Sequence, residues 1–323
     1  MGVHMQVDKI GVLNHGAILQ RIYRIVKSTF FFTRETFGAI LKRYKDEGMY
    51  EHFFGLKEKP FNVTADPSFL FLSHRHKEAF SHLIYGIKER KGFLEITGEI
   101  GTGKTTLCKA LLNSLDKDTK TALILNPDLS KFQLIKTILH ELEIDIEKKS
   151  GNSLLGKLNQ FLIEQLLKGN NVVLIVDEAQ NLKPSLLEQI RLLSNLETEK
   201  EKLLQIILVG QPELREKLRS PKLRQLRQRI SVRYHIFPLD KDEIDKYIRH
   251  RLSVAGAVNS VKFSKEAFEE IYRYSQGIPR LINIVCDKAL LAAYVCGSKS
   301  INHEIIKKCV EELEGDINGK ERI

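Results

Sequence analysis

The chain has 323 residues, with 51 Lys and Arg against 41 Asp and Glu and a formal net charge of +10. Hydrophobic residues make up 42% and charged residues 28%, which excludes wholesale disorder and leaves room for about two domains. No run of about 18 apolar residues occurs, so no membrane-spanning helix is predicted. Cys108, Cys286, Cys296 and Cys309 stand too far apart for a C-x-x-C metal site and read as buried reduced thiols. The basic balance points to an anionic partner, which composition leaves open among nucleic acid, a membrane surface and a phosphate-bearing ligand.

Residues 1–48 form a basic extension with eight positive and four negative side chains. Ile18, Ile22, Ile25 and Val26 recur there at helical spacing between Arg21, Arg24 and Lys27, the pattern of a membrane-surface or partner helix. A second reading makes the segment a mis-assigned start, with translation beginning at Met49. The start has no signal-peptide layout.

From Phe93 the pattern alternates. Strands are predicted at Phe93–Thr97, Thr121–Leu125, Val172–Val176, Gln205–Val209 and Val232–Phe237. Helices are predicted at Thr105–Leu115, Phe132–Leu142 and Leu154–Leu167, and around Leu186, Leu187 and Ile190. Val172–Val176 is wholly aliphatic, as suits a central parallel strand buried on both faces. This rhythm predicts an α/β fold, a three-layer αβα core with a parallel sheet. After Pro238 the strands are expected to stop, and helices follow at Lys241–Val254, Lys265–Ser275 (with Ser264 as N-cap), Leu281–Val295 and His303–Leu313. The expected division is a core over 49–238, a small helical lid over 239–314 and a polar tail over 315–323.

Gly98-Glu99-Ile100-Gly101-Thr102-Gly103-Lys104-Thr105 matches G-x-x-x-x-G-K-[ST] between a predicted strand and a predicted helix. The glycines let backbone N–H groups turn toward phosphate oxygens, and the helix N-terminus adds its positive dipole. Lys104 would reach the β- and γ-phosphates of a nucleotide and Thr105 would give its hydroxyl to Mg²⁺. Thr106 completes the cofactor-binding set. Asp177-Glu178, at the end of the apolar strand, would supply a Mg²⁺ ligand (Asp177) and a carboxylate that polarises the attacking water (Glu178). These adjacent carboxylates favour ATP hydrolysis over simple binding. Asp177-Glu178-Ala179-Gln180 superficially resembles a helicase box, but no second motor domain follows.

Gln211 sits after the fourth strand, where a polar residue can sense the γ-phosphate or simply form a turn. Between Glu213 and Arg233, eight basic residues stand against two acidic ones, Glu213 and Glu216. They read as a solvated helix face, a nucleic-acid surface or the source of an arginine supplied in trans, for which Arg229 is the first candidate and Arg227 the next. Gly277-Ile278-Pro279-Arg280 opens a helix and would aim Arg280 at the cleft.

Together these residues resemble the AAA+ ATPases, and more narrowly the general secretion pathway protein A (ExeA-like) family, from Met49 to about Leu313. The resemblance also rests on Met49-Tyr50-Glu51-His52-Phe53-Phe54-Gly55-Leu56, Pro60-Phe61, Asp66-Pro67, Phe71-Leu72-Ser73, Gly210-Gln211-Pro212-Glu213-Leu214, Arg227-Gln228-Arg229-Ile230 and Arg280-Leu281-Ile282-Asn283. It implies Gln211 as first sensor, Arg229 as arginine finger, Arg280 as second sensor, and a segment around Phe61 and His76 that helps cover the adenine. It also implies ATP and Mg²⁺ as cofactors, a homo-oligomer, and coupling of turnover to a secretion, pilus or polysaccharide system. The expected location is cytoplasmic, with inner-membrane association through a partner. Full-length members continue into a membrane-spanning helix and a peptidoglycan-binding domain. Neither follows in these 323 residues, so the ATPase module alone is expected. A related branch gives the alternative function, an ATP-dependent DNA-binding transposition helper.

Overall fold

A computed structural model describes residues 50–125, 127, 129–145, 153–199, 201–257 and 260–318. The basic extension over 1–48 lies outside the described residues. Backbone contacts divide the chain into two compact units. One comprises Val63–Tyr247 with Gln276–Leu281, and the other comprises residues 50–62, Ile248–Ser275 and residues 282–318.

The first unit is built on five parallel strands, β1 (Phe93–Gly98), β2 (Thr119–Ile124), β3 (Asn171–Val176), β4 (Gln205–Gly210) and β5 (Ile230–Ile236), in the order β2-β3-β4-β1-β5. β3 shows why three layers form. Val172, Leu174 and Val176 face one apolar cluster while Val173 and Ile175 face another, so the strand is buried on both sides. Fully burying such side chains contributes about 1.5–3 kcal/mol each, which holds helices against both faces.

One face carries α1 (His74–Lys88) through Ala79, Leu83 and Ile87, and α2 (Lys104–Ser114) through Leu107, Cys108 and Leu111. The other carries α3 (Lys131–Glu141), α4 (Leu154–Leu167), α5 (Pro184–Leu193), α6 (Pro212–Leu218) and α7 (Arg224–Arg229). Ser130 closes α3 with a capping box to Gln133, and Ser153 caps α4. The α/β fold with a parallel sheet expected from the sequence is therefore present, followed by a helical C-terminal region.

One departure lies inside β1, which the sequence reads as a plain apolar run. Glu95 is only 3% exposed, and its carboxylate meets Arg233 Nε at 3.3 Å across the β1–β5 pair. Thr97 and His235, the next registered pair on that face, share a 3.0 Å hydrogen bond. Burial raises the Glu95 pKa, and the neighbouring Arg233 and Arg215 oppose that shift.

In the second unit, α9 (Lys265–Ser275) is capped by Ser264, whose Oγ accepts from Ala267 N at 3.2 Å. It accompanies the unit's parts of α8 (Ile244–Val254) and α10 (Pro279–Val295), together with α11 (His303–Asn318). The expectation that strands stop after Pro238 is corrected. β6 (Lys262–Phe263) and β7 (Ser300–Ile301) pair in parallel, each too short for an alternating pattern to reveal it. Residues 50–62 group with these helices: the Tyr50 hydroxyl donates to Asp287, and Arg251 donates to the carbonyls of Pro60 and Asn62. α11 runs to Asn318, beyond the helix end at Leu313 expected from the sequence. No described helix is long and apolar enough to cross a membrane.

Candidate nucleotide-binding site

Parallel strands bring their carboxyl ends to one edge of the sheet, where open α/β folds bind ligands. The register places Gly98 at the end of β1, Gly210 at the end of β4 and Asp177 just past β3, all on that edge. The two chemical halves found in sequence, some 75 residues apart, therefore converge.

Gly98 to Thr105 forms the β1–α2 turn, with Gly101 at φ +82° and Gly103 at φ +92°. Both angles lie where a side chain is strained. Close approach adds to the requirement. A Cβ on Gly98 would lie 2.6 Å from the Ile236 carbonyl oxygen, and one on Gly101 would lie 2.7 Å from Arg280 Cβ. The Thr102 hydroxyl donates back to the Glu99 carbonyl at 2.8 Å. Ile100 is exposed at the crown of the loop, and Thr106 is half-buried in the first turn of α2.

Lys104 is 6% exposed, and its Nζ donates to the carbonyls of Gly98 (2.8 Å) and Glu99 (2.9 Å). The ammonium is thus folded back along the loop. Burial lowers its pKa, against which Glu178, Asp177 and Glu99 favour the charged form. The Thr105 hydroxyl donates to Asp177 Oδ2 at 2.6 Å. Asp177, 2% exposed, also accepts from the Glu178 N–H through Oδ1, and its own N–H continues the sheet to the Ile124 carbonyl.

Glu178 is left-handed (φ +50°, ψ +35°), a conformation costing a non-glycine residue about 1–2 kcal/mol. Strain of this kind persists where surrounding contacts over-determine it. Here Glu178 Oε2 accepts from Gln180 Nε2 and, at 3.2 Å, from Gln211 Nε2. Gln180 Oε1 in turn accepts from Gln211 N at 3.0 Å, and Lys217 holds the carbonyls of Gln180 and Leu182. Sequence reasoning named Glu178 and Gln211 but not Gln180, which joins them. Its position in an acidic box was the available signal.

Arg280 reaches this loop through its backbone, its N–H donating to the Gly101 carbonyl at 3.2 Å, while its side chain is exposed. His76 also reaches the loop, its Nε2 lying 2.9 Å from the Thr102 carbonyl oxygen. Phe61 is buried in the other unit. Arg229 is placed elsewhere. It precedes Ile230, which is in register with Phe93 at the opposite end of β1 from the loop, and its Nη1 donates to Ser194 Oγ at 2.5 Å. Five residues of strand, about 16 Å, separate those two ends. The Arg227 carbonyl accepts from Arg233.

The strand order, the phosphate loop after β1 and the acidic pair after β3 define an AAA+ P-loop protein. The AAA domain family AAA_22 matches residues 87–218. Solved structures sharing the fold include the Aeropyrum pernix ORC2 protein in its ADPNP-ADP complexes (TM-score 0.60, 17% identity, 79% of this chain and 71% of that one). Cdc6p from Pyrobaculum aerophilum is another (TM-score 0.59, 20% identity, 75% of this chain and 68% of that one).

Within this class the chain is similar to general secretion pathway protein A. It is 48% identical over 268 residues to general secretion pathway protein A of Aeromonas hydrophila, a match covering 83% of this chain and 49% of that relative. The chain thus spans about half the length of that curated relative.

Proposed function

We propose that the protein binds ATP with Mg²⁺ and hydrolyses it, coupling turnover to assembly of a secretion- or envelope-related partner. The Thr105–Asp177 contact carries this reading. A hydroxyl and a carboxylate oxygen, 2.6 Å apart beside the phosphate loop, are the hard oxygen donors that Mg²⁺ takes. The residues fit the ion, and Thr105 and Asp177 would hold it, Asp177 directly or through water. When bound, Mg²⁺ neutralises charge on the β- and γ-phosphate oxygens.

This chain's own groups supply the rest. Loop N–H groups and the α2 N-terminus bind the phosphates. Lys104 exchanges its two carbonyl acceptors for phosphate oxygens, so that a bond to a neutral acceptor becomes one in which donor and acceptor are both charged. Glu178 orients a water and takes its proton, and the Gln180–Gln211 pair fixes the carboxylate that does so. Gln211 reports the γ-phosphate to Glu178 through their shared hydrogen bond. Arg280 acts as second sensor from the turn seated on Gly101. Arg229, at the far end of the sheet, serves a neighbouring copy's ATP, so the active form is a homo-oligomer. The partner follows from the relationship to general secretion pathway protein A, and docking to it would bring the ATPase to the inner membrane.

Glu178→Gln tests the reading. ATP hydrolysis should fall by at least 10²-fold while ATP affinity stays within about threefold. Unchanged turnover would make the chain a nucleotide-binding scaffold.

A further inference from the structure

The phosphate loop is held from outside by a side chain that its motif does not include. His76 is 3% exposed, in the first turn of α1, and both ring nitrogens are engaged. Nε2 lies 2.9 Å from the Thr102 carbonyl oxygen and Nδ1 lies 2.7 Å from Ser73 Oγ. The carbonyl can only accept, so Nε2 carries the proton. Nδ1 then accepts the Ser73 hydroxyl proton. Ser73 Oγ has a lone pair left for the His76 N–H, which donates to it at 3.3 Å as the helix cap.

The consequence lies one atom further along the backbone. A trans peptide is planar, so its C=O and following N–H point in opposite directions. Drawing the Thr102 carbonyl toward His76 turns the Gly103 N–H away from His76. That N–H makes no hydrogen bond among the described residues, so it remains available to a ligand. Gly103 itself sits close under the ring. A Cβ there would be 3.4 Å from His76 Nε2, and its φ of +92° excludes most side chains in any case.

We propose that His76 is a positioning residue for nucleotide, acting with Ser73 to fix the Thr102–Gly103 peptide so that the Gly103 N–H is presented to phosphate oxygen. The inference rests on the ATP reading of the site. It assigns His76 to the phosphate end of the ligand, and it treats the start of α1 as part of the binding apparatus. Because the Gly103 N–H belongs to the loop cradling the inner phosphates, ADP and ATP should depend on the clamp equally.

The test measures affinity for fluorescent ATP and ADP analogues in the full chain. His76→Phe keeps the ring volume but removes both polar atoms, and it should weaken both nucleotides by about tenfold, the worth of one well-placed hydrogen bond. His76→Gln restores a donor at the Nε2 position and should bind within about 1.5-fold of the parent. Circular dichroism at the assay temperature establishes that each variant is folded. If His76→Phe fails to fold, Ser73→Ala is the second variant, with an expected loss of about threefold and an equal effect on both nucleotides. Parent-like affinity in His76→Phe, or in Ser73→Ala where that variant stands in, overturns the inference while leaving the ATP reading intact. Equal losses in His76→Phe and His76→Gln reduce His76 to packing. A parent protein that binds neither nucleotide overturns the ATP reading itself.

Discussion

Two glycines with nearly the same backbone conformation separate conformational strain from close packing at the phosphate loop. Gly101 has φ +82° and Gly169, in the turn before β3, has φ +77°. A Cβ on Gly169 meets nothing within 4 Å, whereas one on Gly101 would be 2.7 Å from Arg280 Cβ and 3.1 Å from Ile278 Cγ2. Gly169→Ala should therefore cost only the left-handed penalty, about 1 kcal/mol. In Gly101→Ala the same penalty is joined by an overlap with the stem of Arg280, which no rotamer change relieves. Carbon atoms need about 3.5–4.0 Å, so the 278–280 turn must retreat by about 1 Å. That retreat stretches the Arg280 N–H to Gly101 bond, worth about 0.5–1.5 kcal/mol. A total of about 2 kcal/mol follows, and at about 2–4 °C per kcal/mol the unfolding midpoint should drop by roughly 6 °C, against roughly 3 °C for Gly169→Ala. Thermal unfolding followed by circular dichroism reads the difference. ATP affinity should fall in Gly101→Ala alone. Equal midpoints for the two variants, or full ATP affinity in Gly101→Ala, would refute the argument that the turn is seated on the loop.

Arg229→Ala should lower ATP turnover by about 10³-fold with binding retained. Mixing it with Glu178→Gln should restore part of the activity, because each variant supplies the group the other lacks, and absence of recovery in steady-state assays would remove the action in trans. The pH dependence of stability follows from His76, whose pKa burial pushes below the ordinary 6.5, with the Thr102 bond and the Glu243 charge opposing. The native state then binds fewer protons than the unfolded chain. Its stability is full above about 6.5 and declines as pH falls toward the lowered native value. His235 is shifted the same way by burial and by Arg215, while Glu95, with its raised pKa, acts in the opposite sense. The difference isolates the clamp: the unfolding midpoint of His76→Gln should fall less than that of the parent between pH 7.5 and 5.5.

What could be read in the sequence was whatever a short window contains. The β1–loop–α2 succession, the aliphatic β3 ending in Asp177-Glu178 and the Ser264 cap each place their signal within a few residues of the structure they specify. Contacts that shape the site without forming a motif were not legible. Gln180 and Gln211 are 31 positions apart and meet only because β3 and β4 are adjacent in the sheet. His76 and Thr102 are 26 apart and meet because α1 packs on the face that α2 also covers. Glu95 carries no signal of its own within the apolar run of β1. Its partner, Arg233, became visible only when the register of β1 with β5 was fixed.

The basic stretch from Arg215 to Arg233 shows how this changes a functional reading. As sequence, eight cations with sparse aromatic company fit a solvated face, a polyanion surface or a finger in trans. In the fold, Lys217 is occupied with the carbonyls of Gln180 and Leu182, Arg229 with Ser194, and Arg233 with Glu95 and the Arg227 carbonyl. Leu218, Leu223, Leu226 and Ile230, which alternate with these cations, are buried in the core beneath them. A surface that neutralises a nucleic-acid backbone needs its cations free to trade counterions for phosphates. Lys217 and Arg233 are instead committed to the Glu178 network and to the β1–β5 pair, whereas Arg229 meets a neutral hydroxyl that it can exchange for phosphate oxygen. Lys217 supports the residue that holds Glu178, and Arg229 stands at the far end of the sheet from its own phosphate loop. This distribution suits a site divided between neighbouring copies better than a continuous polyanion track.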